Sequence, residues 1–441
     1  MENKEKKARK IVNVLRDSGH TAYFAGGCVR DKLLGIEVGD YDIATNASPE
    51  RVQELFARTV PVGVQFGVVV VVEEGEPFEV ATFRTDGEYV DGRRPEGVSF
   101  ASAREDAERR DFTINGLFYD PAEEKVIDFV GGCEDLEARK IKAIRNARER
   151  FTEDKLRVLR AVRFAAKLNF EIEGATWEAL CAMAPQVTVV SVERIRAELV
   201  KIFADRGRLR GLDLLDESGL LKILLPELEA CKGCSQPPEF HPEGDVYVHT
   251  RLMIEMLAPG ASANLALAVL LHDVGKPRCR SVDETGRIRF NGHECTGALM
   301  TERILNKYRF SNEEIAAVCE MVGRHMVFKD APKMRLSRLR RFMASPIFEE
   351  EMELHRVDCT SSHADMSVYD FLRGKQAEFA NEPIIPPRLL SGADLIGLGW
   401  HPGPRFREIL EEAQTLQLEG GLDSRESALA WLAQQQESSR S

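Results

Sequence analysis

The stretch that decides the fold is residues 22–43, AYFAGGCVRDKLLGIEVGDYDI. A short apolar strand runs into Gly26 and Gly27, and two glycines let backbone N–H groups approach a phosphate closely. Asp40 and Asp42 follow, two residues apart in a β-like stretch, so we expect both carboxylates on one face. Such a pair can hold divalent cations, with oxygen ligands that suit Mg²⁺. The same pattern is common in surface turns, but the preceding glycine turn favours a metal site.

Around this stretch, apolar runs of strand length alternate with turn signals as far as Phe129, which predicts a head that mixes strands and helices. The expected strands are 23–25, 41–44, 67–72, 78–83 and 116–119. After residue 132 the pattern becomes helical, with a period of 3.6 residues. The expected helices include 153–170, 192–203 and 212–221. A proline-containing linker, 231–244, precedes a second helical unit that carries most of the histidines.

The composition is that of a soluble globular protein with two to four domains: 441 residues, 43% hydrophobic and 30% charged. No apolar run approaches the length of a membrane span, and Met1–Lys10 lacks the apolar core of a secretory signal. We therefore expect a cytoplasmic protein with no membrane partner. Nine cysteines in such a chain indicate reduced thiols, and Cys231 and Cys234 lack the second pair that a zinc site would need.

Positive charge is concentrated in one segment of an acidic chain. The net charge of −12 argues against coating of nucleic acid by bulk electrostatics. Between Arg139 and Lys167, however, eleven Lys and Arg residues face only three acids. A run of this kind is usually a solvated helix face, but next to the motifs below it predicts a basic stripe that contacts nucleic acid.

Five motifs occur in order over about the first 200 residues. They are Gly26-Gly27-Cys28-Val29-Arg30-Asp31, Asp40-Tyr41-Asp42, Arg109-Arg110-Asp111-Phe112-Thr113-Ile114-Asn115-Gly116, Glu153-Asp154-Lys155-Leu156-Arg157-Val158-Leu159-Arg160-Ala161-Val162-Arg163-Phe164 and Glu193-Arg194-Ile195-Arg196-Ala197-Glu198-Leu199. Together they resemble the class II tRNA nucleotidyltransferase and bacterial poly(A) polymerase family. The resemblance implies that Asp40 and Asp42 hold catalytic Mg²⁺ ions, that Gly27 and Arg30 contact the triphosphate, and that Arg110 lies near the nucleotide. A two-metal site activates an attacking hydroxyl and stabilises the leaving pyrophosphate.

Asp111, in the third motif, is expected to bind the sugar or to orient its turn. In the fourth motif, Asp154 and Arg157 are spaced as neighbours on one helical face. An ordinary ion pair would have this spacing, but a carboxylate beside a guanidinium also matches the amino group and ring nitrogen of cytosine and adenine. Uracil and guanine would leave polar groups unpaired, and the family resemblance assigns the pair this base-reading role. Arg160 and Arg163 are expected to face the triphosphate or the adjoining motif.

Two segments bear on the choice among family members. Residues 61–68 resemble the tRNA-type enzymes and lack the Arg-rich stretch that is typical of bacterial poly(A) polymerases. Residues 84–95 resemble the flexible loop that CCA-adding enzymes keep and CC-adding enzymes lose. Both segments favour complete CCA addition, while an A-adding enzyme and a poly(A) polymerase of the same family stay open as alternatives.

The second helical unit carries a set of histidines and aspartates in the order His, His-Asp, His, His, Asp. They are His249, His272, Asp273, His293, His325 and Asp358. These residue types suit a divalent metal, and their order is similar to that of HD phosphohydrolases. The resemblance implies a second metal site that cleaves phosphate esters. A scaffold kept for RNA binding without catalysis is the alternative, and His355 and His363 are expected to be structural.

These observations predict an α+β nucleotidyltransferase head with a small mixed sheet, an all-helical RNA-binding region, an HD domain and a helical tail. The expected bounds are 1–140, 141–230, 231–370 and 371–441. The expected reaction adds CCA to the 3′ end of tRNA, or extends another RNA, from CTP and ATP. A metal phosphohydrolase whose head only binds nucleotide is the rival, and an RNA-binding protein with decayed sites is a non-enzymatic alternative.

Overall fold

The computed structural model describes residues 2–61, 66–86, 98–239 and 241–438. They form two compact units, Met1–Pro226 with Lys307–Arg309, and Glu227–Asn306 with Phe310–Ser441. The predicted division into four domains stays a prediction. Most of the two segments that bear on specificity, at 62–65 and 87–95, lies outside the described residues. Within the described ranges, no helix combines the length and the apolar character needed to cross a bilayer.

The first unit begins with the predicted head. Its elements are α1 Glu2–Asp17, β1 Ala22–Ala25, α2 Gly27–Leu33, β2 Ile43–Thr45, α3 Pro49–Leu55, β3 Thr59–Val60, β4 Val68–Glu73, β5 Glu76–Thr82, β6 Arg84–Asp86, β7 Val98–Phe100, α4 Ala103–Glu108, β8 Phe118–Asp120, β9 Lys125–Ile127, α5 Gly132–Glu137 and β10 Lys140–Ile141. Seven strands form one mixed sheet in the order β3-β4-β5-β2-β1-β8-β9, in which only β2 and β5 pair in parallel. The α+β head with a mixed sheet is confirmed.

The sheet register places the glycine turn beside the aspartate pair. Phe24 in β1 pairs with Ile43 in β2, and the N–H of Ala25 donates to the carbonyl of Asp42 at 2.9 Å. In β4, which pairs with β3 and β5 in the same sheet, burial alternates with a period of two: Val69 and Val71 are buried, while the residues on either side are less so. The end of β1 and the start of β2 therefore meet where the predicted site residues lie.

The rest of the first unit is mostly helical. Its elements are α6 Ala147–Glu153, α7 Leu156–Leu168, β11 Glu171–Ile172, α8 Gly174–Met183, α9 Val192–Ala204, α10 Arg208–Glu217 and α11 Leu220–Leu224. The predicted helical region is confirmed, and it also contains one short strand, β11, which pairs in parallel with β10. A two-residue ladder is too short to give a periodic signal. The single helix expected at 212–221 is two helices, α10 and α11. Gly219 lies between them with φ 74°, a left-handed backbone conformation that interrupts the helix.

The second unit contains the predicted HD domain and tail. Its elements are α12 Pro226–Glu229, α13 Val246–Met256, α14 Ala263–Leu271, α15 Lys276–Cys279, β12 Ser281–Val282, β13 Ile288–Arg289, α16 His293–Lys307, α17 Asn312–Arg324, α18 Leu336–Met343, α19 Phe348–Ser361, α20 Ser367–Phe379, α21 Gly392–Gly397, α22 Pro404–Leu418 and α23 Arg425–Ser438. The sequence analysis did not predict the hairpin β12–β13. Helix α14 is buried along most of its length and ends at Leu271, directly before His272.

Candidate nucleotide site and histidine cluster

The turn between β1 and α2 depends on Gly26. Its φ of 72° lies in the left-handed region, and a Cβ there would come 2.7 Å from Nη1 of Arg110. Gly27, the glycine assigned to the triphosphate from the sequence, opens α2 without a positive φ. Arg110 is held by the buried Asp106, whose Oδ2 accepts from Nη2 at 3.0 Å. Gly26 therefore permits a close approach of the turn to the third motif.

Asp40 and Asp42 are both exposed, and Tyr41 between them is buried. This alternation agrees with the predicted spacing, although both carboxylates precede β2 rather than lie within it. Nζ of Lys4 pairs with Asp40 at 2.7 Å. Desolvation, together with the negative charge of Glu79, raises the pKa of Asp42 to about 6.

The two carboxylates fit a divalent cation. Among the described residues, the side chain of Asp42 forms no hydrogen bond or ion pair. The carboxylate of Asp40 is exposed to solvent, and its partner is Lys4. Such groups can change partners at small cost, and their oxygens are hard ligands. A cation would also offset the desolvation and the repulsion from Glu79 that raise the pKa of Asp42.

A chain of polar contacts joins three of the motifs. Nη1 of Arg30 donates to Oδ1 of Asn115 at 2.6 Å, and Nδ2 of Asn115 donates to Oδ1 of Asp111 at 3.0 Å. Nε of Arg160 donates to Oδ2 of Asp111 at 2.7 Å. Arg30, Asn115 and Asp111 are all buried. The chain therefore links the glycine turn to helix α7 through the interior.

The charge state of Asp111 follows from these contacts. Burial alone would raise its pKa, but the positive charge of Arg160 and the hydrogen bond from Asn115 outweigh burial and bring the pKa to about 2. Both carboxylate oxygens accept protein hydrogen bonds, including one from the N–H of Phe112 at 2.8 Å. Of the two expected roles of Asp111, this geometry favours orientation of the turn over contact with the sugar.

Arg160 and Arg163 of α7, together with Arg30 of α2, surround the buried ring of Phe164 and do not form an open stripe. The guanidinium carbons of Arg30, Arg160 and Arg163 lie 5.1, 5.3 and 4.3 Å from the ring centroid of Phe164. Nε of Arg163 pairs with the buried Glu198 at 2.6 Å. The predicted basic stripe is therefore wrong for this part of the segment, because acids distant in sequence neutralise it. A role of Arg160 and Arg163 toward the triphosphate stays a prediction.

Among the described contacts, the side chains of Asp154 and Arg157 form no ion pair with each other, although the backbone N–H of Arg157 donates to the carbonyl of Asp154 at 3.0 Å. Asp154 has extended backbone angles and precedes α7, so the two residues do not share one helix as the spacing suggested. Oδ2 of Asp154 accepts from Nη2 of Arg194 at 2.7 Å. Nη1 of Arg157 instead donates to Oε2 of Glu153 at 2.7 Å, and its Nη2 donates to the carbonyl of Arg109 at 3.1 Å. The sequence analysis missed Arg194 as the partner.

In the second unit, Asp273 lies at the centre of three histidines. Its carboxylate oxygens are 3.1 Å from Nε2 of His272, 3.3 Å from Nε2 of His293 and 3.8 Å from Nε2 of His325. All four side chains are buried. The structure therefore brings together four of the six residues that the sequence analysis assigned to one metal site.

The tautomers of the three histidines make this cluster fit a metal. Nδ1 of His272, His293 and His325 lies 2.7–2.8 Å from the backbone carbonyl three residues earlier, so each Nδ1–H donates there. In a neutral ring held in this way, the lone pair of Nε2 is directed at the oxygens of Asp273. Burial lowers the pKa of His325 to about 4, so this ring is neutral. These atoms could hold a divalent cation, and donation of Nδ1–H to a backbone carbonyl is typical of histidines that bind metals.

His249 contacts Asp358 on one side and, on the other, a pair of residues that the sequence analysis missed, Glu243 and His241. Nε2 of His249 lies 3.1 Å from Oδ1 of Asp358, and its Nδ1 lies 2.7 Å from Oε1 of Glu243. The same Glu243 oxygen is 2.9 Å from Nδ1 of His241. Burial would lower the pKa of His249, but the two carboxylates raise it to about 9. No helical period marks His241 and Glu243, because both lie in the predicted linker.

The cluster opens into a cavity of about 500 Å³ with several cationic side chains. Lys276, Arg287, Arg289 and Lys329 line it together with His272, Asp273 and Asp358. Nζ of Lys276 is 2.6 Å from Oδ2 of Asp273. Cationic side chains around a cluster that could hold a metal ion suit an anionic substrate such as a phosphate ester.

Comparison with known proteins agrees with the fold. The poly A polymerase head domain matches residues 22–142, the probable RNA and SrmB-binding site of polymerase A matches 169–232, and the HD domain matches 245–366. A CCA-adding enzyme of Levilactobacillus brevis is 32% identical over 425 residues, which cover 96% of each chain. One from Geobacillus thermodenitrificans is 47% identical over 215 residues, 48% of this chain and 53% of that one.

A solved structure gives the same result. The crystal structure of the Bacillus stearothermophilus CCA-adding enzyme in complex with CTP matches 100% of this chain and 99% of that chain, with a TM-score of 0.74 and 28% identity. The head fold and its motifs define an RNA nucleotidyltransferase. More narrowly, the chain belongs to the family of CCA-adding enzymes.

Proposed function

We propose that this protein adds the CCA sequence to the 3′ end of tRNA, using CTP and ATP and releasing pyrophosphate. The observation that carries the proposal is the exposed pair Asp40 and Asp42 beside the glycine turn, in a chain related over 96% of its length to a CCA-adding enzyme. The relative that was solved in complex with CTP supports CTP as a ligand of this protein. The reaction joins the RNA 3′ hydroxyl to the α-phosphate of the incoming nucleotide.

Asp40 and Asp42 would hold Mg²⁺, which when bound supplies charge neutralisation for the triphosphate and activation of the RNA hydroxyl. The protein itself provides orientation. Gly26 lets the turn lie close to Arg110, and the chain from Arg30 through Asp111 fixes the turn against α7. Rigid positioning of this kind supplies much of the acceleration in nucleotidyl transfer.

Asp154 and Arg157 would choose the base. The carboxylate accepts a hydrogen bond from the amino group of cytosine or adenine, and the guanidinium donates to the adjacent ring nitrogen. Uracil would set its O4 against the carboxylate and guanine its O6 and N1–H against the pair, which leaves polar groups unpaired at a cost of about 1–3 kcal/mol each. Selection of C and A therefore needs no template.

The test uses three tRNA transcripts that end before CCA, after C and after CC. Each is incubated with the protein and Mg²⁺, with CTP and ATP supplied separately and together, and resolved at one nucleotide. We expect all three to be completed to CCA and to stop there. Extension of only the CC-ended transcript by A would identify an A-adding enzyme, and long A tails would identify a poly(A) polymerase.

Variants separate this proposal from its rivals. Asp40→Asn and Asp42→Asn should abolish incorporation, while Asp17→Asn, an exposed acid at the end of α1, should leave it unchanged. If Asp40→Asn retained the principal activity, the head would serve only to bind nucleotide. RNA binding without turnover in the wild-type protein would support the decayed, non-enzymatic alternative.

A second candidate function rests on the histidine cluster. The facing acceptor atoms of His272, Asp273, His293 and His325 favour a bound divalent metal, and imidazole ligands suit a first-row transition metal. With the cationic cavity this supports hydrolysis of phosphate esters. Bis-p-nitrophenyl phosphate is a direct probe: we expect hydrolysis with added Mn²⁺ or Ni²⁺ and its loss in Asp273→Asn, with CCA addition retained. No hydrolysis with any metal would favour a scaffold role in RNA binding.

A cytoplasmic location is part of the proposal. All nine cysteines are free, and four of them are buried, as expected for a chain that stays in a reducing compartment. Fractionation of the producing cells should recover the protein with the cytoplasmic contents.

A further inference from the structure

The two base-reading groups each have a partner of their own. Oδ2 of Asp154 accepts from Nη2 of Arg194, a residue of α9, at 2.7 Å. Arg157 is buried and donates from Nη1 to Glu153 at 2.7 Å. Among the contacts of the described residues, Asp154 and Arg157 make no ion pair with each other.

This separation is unexpected for an acid and an arginine three residues apart. Such a pair would ordinarily bind each other, because their charges are opposite and their side chains are within reach. A direct pair would turn the carboxylate and the guanidinium inward, and neither would present its edge to a base. Because Asp154 binds Arg194 and Arg157 binds Glu153, the carboxylate and the guanidinium both stay available to a base.

We propose that Arg194 is a positioning residue that sets nucleotide specificity by holding the carboxylate of Asp154 away from Arg157. The inference rests on the proposed function and assigns a new residue to its base-reading step. Arg194 does not need to touch the nucleotide. It acts through the orientation of Asp154 alone.

The hydrogen-bond capacity of Asp154 allows this role. Its Oδ1 accepts from the N–H of Leu156 at 3.1 Å, and its Oδ2 accepts from Arg194. One donor on each oxygen fixes the plane of the carboxylate, and each oxygen keeps a second lone pair for an incoming amino group. The side chains of Asp154 and Arg194 are 16% and 26% exposed, so the contact is sheltered while a nucleotide can still reach it.

Arg157 is held in the same manner from the other side. Its Nη1 donates to Glu153 and to the carbonyl of Arg150, and its Nη2 donates to the carbonyl of Arg109. A guanidinium has five N–H donors, so donors are left for a ring nitrogen. Without Arg194, the carboxylate of Asp154 could turn toward the guanidinium of Arg157. The two groups would then bind each other and could no longer bind the base.

The experiment measures kcat/KM for CTP and for UTP on a tRNA that ends before CCA. In Arg194→Met we expect the CTP-over-UTP ratio to fall by about tenfold, the effect of losing one well-oriented hydrogen bond. Lys201→Met is the matched control, because Lys201 is an exposed cation on the same helix, and its ratio should equal that of the wild type. Arg194→Lys keeps a cation and should recover part of the ratio.

A double-mutant cycle distinguishes positioning from a general structural role. In an Asp154→Asn background, Arg194→Met should change the ratio no further, because its effect passes through Asp154. An unchanged ratio in active Arg194→Met and Arg194→Lys, or equal losses with and without Asp154→Asn, would overturn the inference. If Arg194→Met does not fold, as judged by circular dichroism, the Arg194→Lys ratio decides. Failure of the wild-type protein to incorporate CTP would instead overturn the proposed function itself.

Discussion

Nε of Arg160 lies 2.7 Å from Oδ2 of Asp111, and this contact ties helix α7 to the turn that follows α4. Asp111 is buried and has a pKa lowered to about 2, so it is ionised at every physiological pH. The pair is the last link of the chain that starts at Arg30. Removal of this carboxylate should therefore affect both stability and catalysis.

We expect Asp111→Asn to lower the free energy of unfolding at pH 7 by an amount on the order of 2 kcal/mol. The folded pKa is below the ordinary value of 3.8, so the contribution of Asp111 is complete above pH 4 and is lost as the pH falls toward 2. Urea denaturation of both proteins at pH 7, 5 and 3 checks this. A difference that stayed constant from pH 7 to pH 3 would contradict it.

Gly26 provides a second prediction, because its left-handed φ and its distance to Arg110 have separable effects. A residue with a Cβ at φ 72° is strained by about 1 kcal/mol, and in Gly26→Ala the methyl group would also displace the guanidinium of Arg110. Gly35→Ala is the matched control, since Gly35 has φ 67° and open space around it. Both variants should melt at a lower temperature, but only Gly26→Ala should raise KM for CTP. Equal KM values in the two variants would argue against a role for the close approach.

The sequence predicted the parts of the nucleotide site better than their pairings. The order of the motifs and the glycine turn identified the head, the aspartate pair and α7. The partners of the arginines could not be predicted, because they come from segments that are distant in sequence: Glu198 for Arg163, and Arg194 for Asp154. The start of α7 at Leu156 was not predicted either, because the extended backbone of Asp154 does not change the spacing of the apolar residues.

In the histidine cluster, the side chains that the ligand types and their order assigned to one site lie together around Asp273, and their role as metal ligands stays a prediction. The second layer was missed for a physical reason. His241 and Glu243 lie in an irregular segment, where no periodicity shows which side chains point inward, and only the folded chain brings them to His249.

Glu243 gives a third prediction. Its carboxylate fixes Nδ1 of His249 at 2.7 Å and thereby directs Nε2 toward Asp358. Loss of such a second-layer carboxylate commonly weakens metal binding by about 10- to 100-fold. Glu243→Gln should therefore bind Mn²⁺ more weakly in calorimetric titration of chelator-treated protein. Glu239→Gln, an exposed acid of the same segment, should bind as the wild type does, and CCA addition should be unchanged in both.

The last prediction concerns Glu351 of α19, whose side chain is only 1% exposed. Burial raises its pKa to about 7, although Nε of Arg324, 3.3 Å away, partly offsets this. Because the folded pKa is above the ordinary value of 4.5, the folded state binds the proton more tightly than the unfolded state does. The ionised carboxylate therefore costs stability progressively as the pH rises from 4.5 to 7, by an amount on the order of 1–3 kcal/mol.

Glu351→Gln removes this titration and keeps the shape of the side chain. Relative to the wild type, the variant should gain melting temperature between pH 5 and pH 8, because only the wild type must ionise a buried group over that range. Glu408→Gln, an exposed acid on α22, should show no such change. If the Glu351→Gln variant lost stability relative to the wild type as the pH rose, the ion pair with Arg324 would outweigh the cost of burial, and Glu351 would be a stabilising rather than a strained carboxylate.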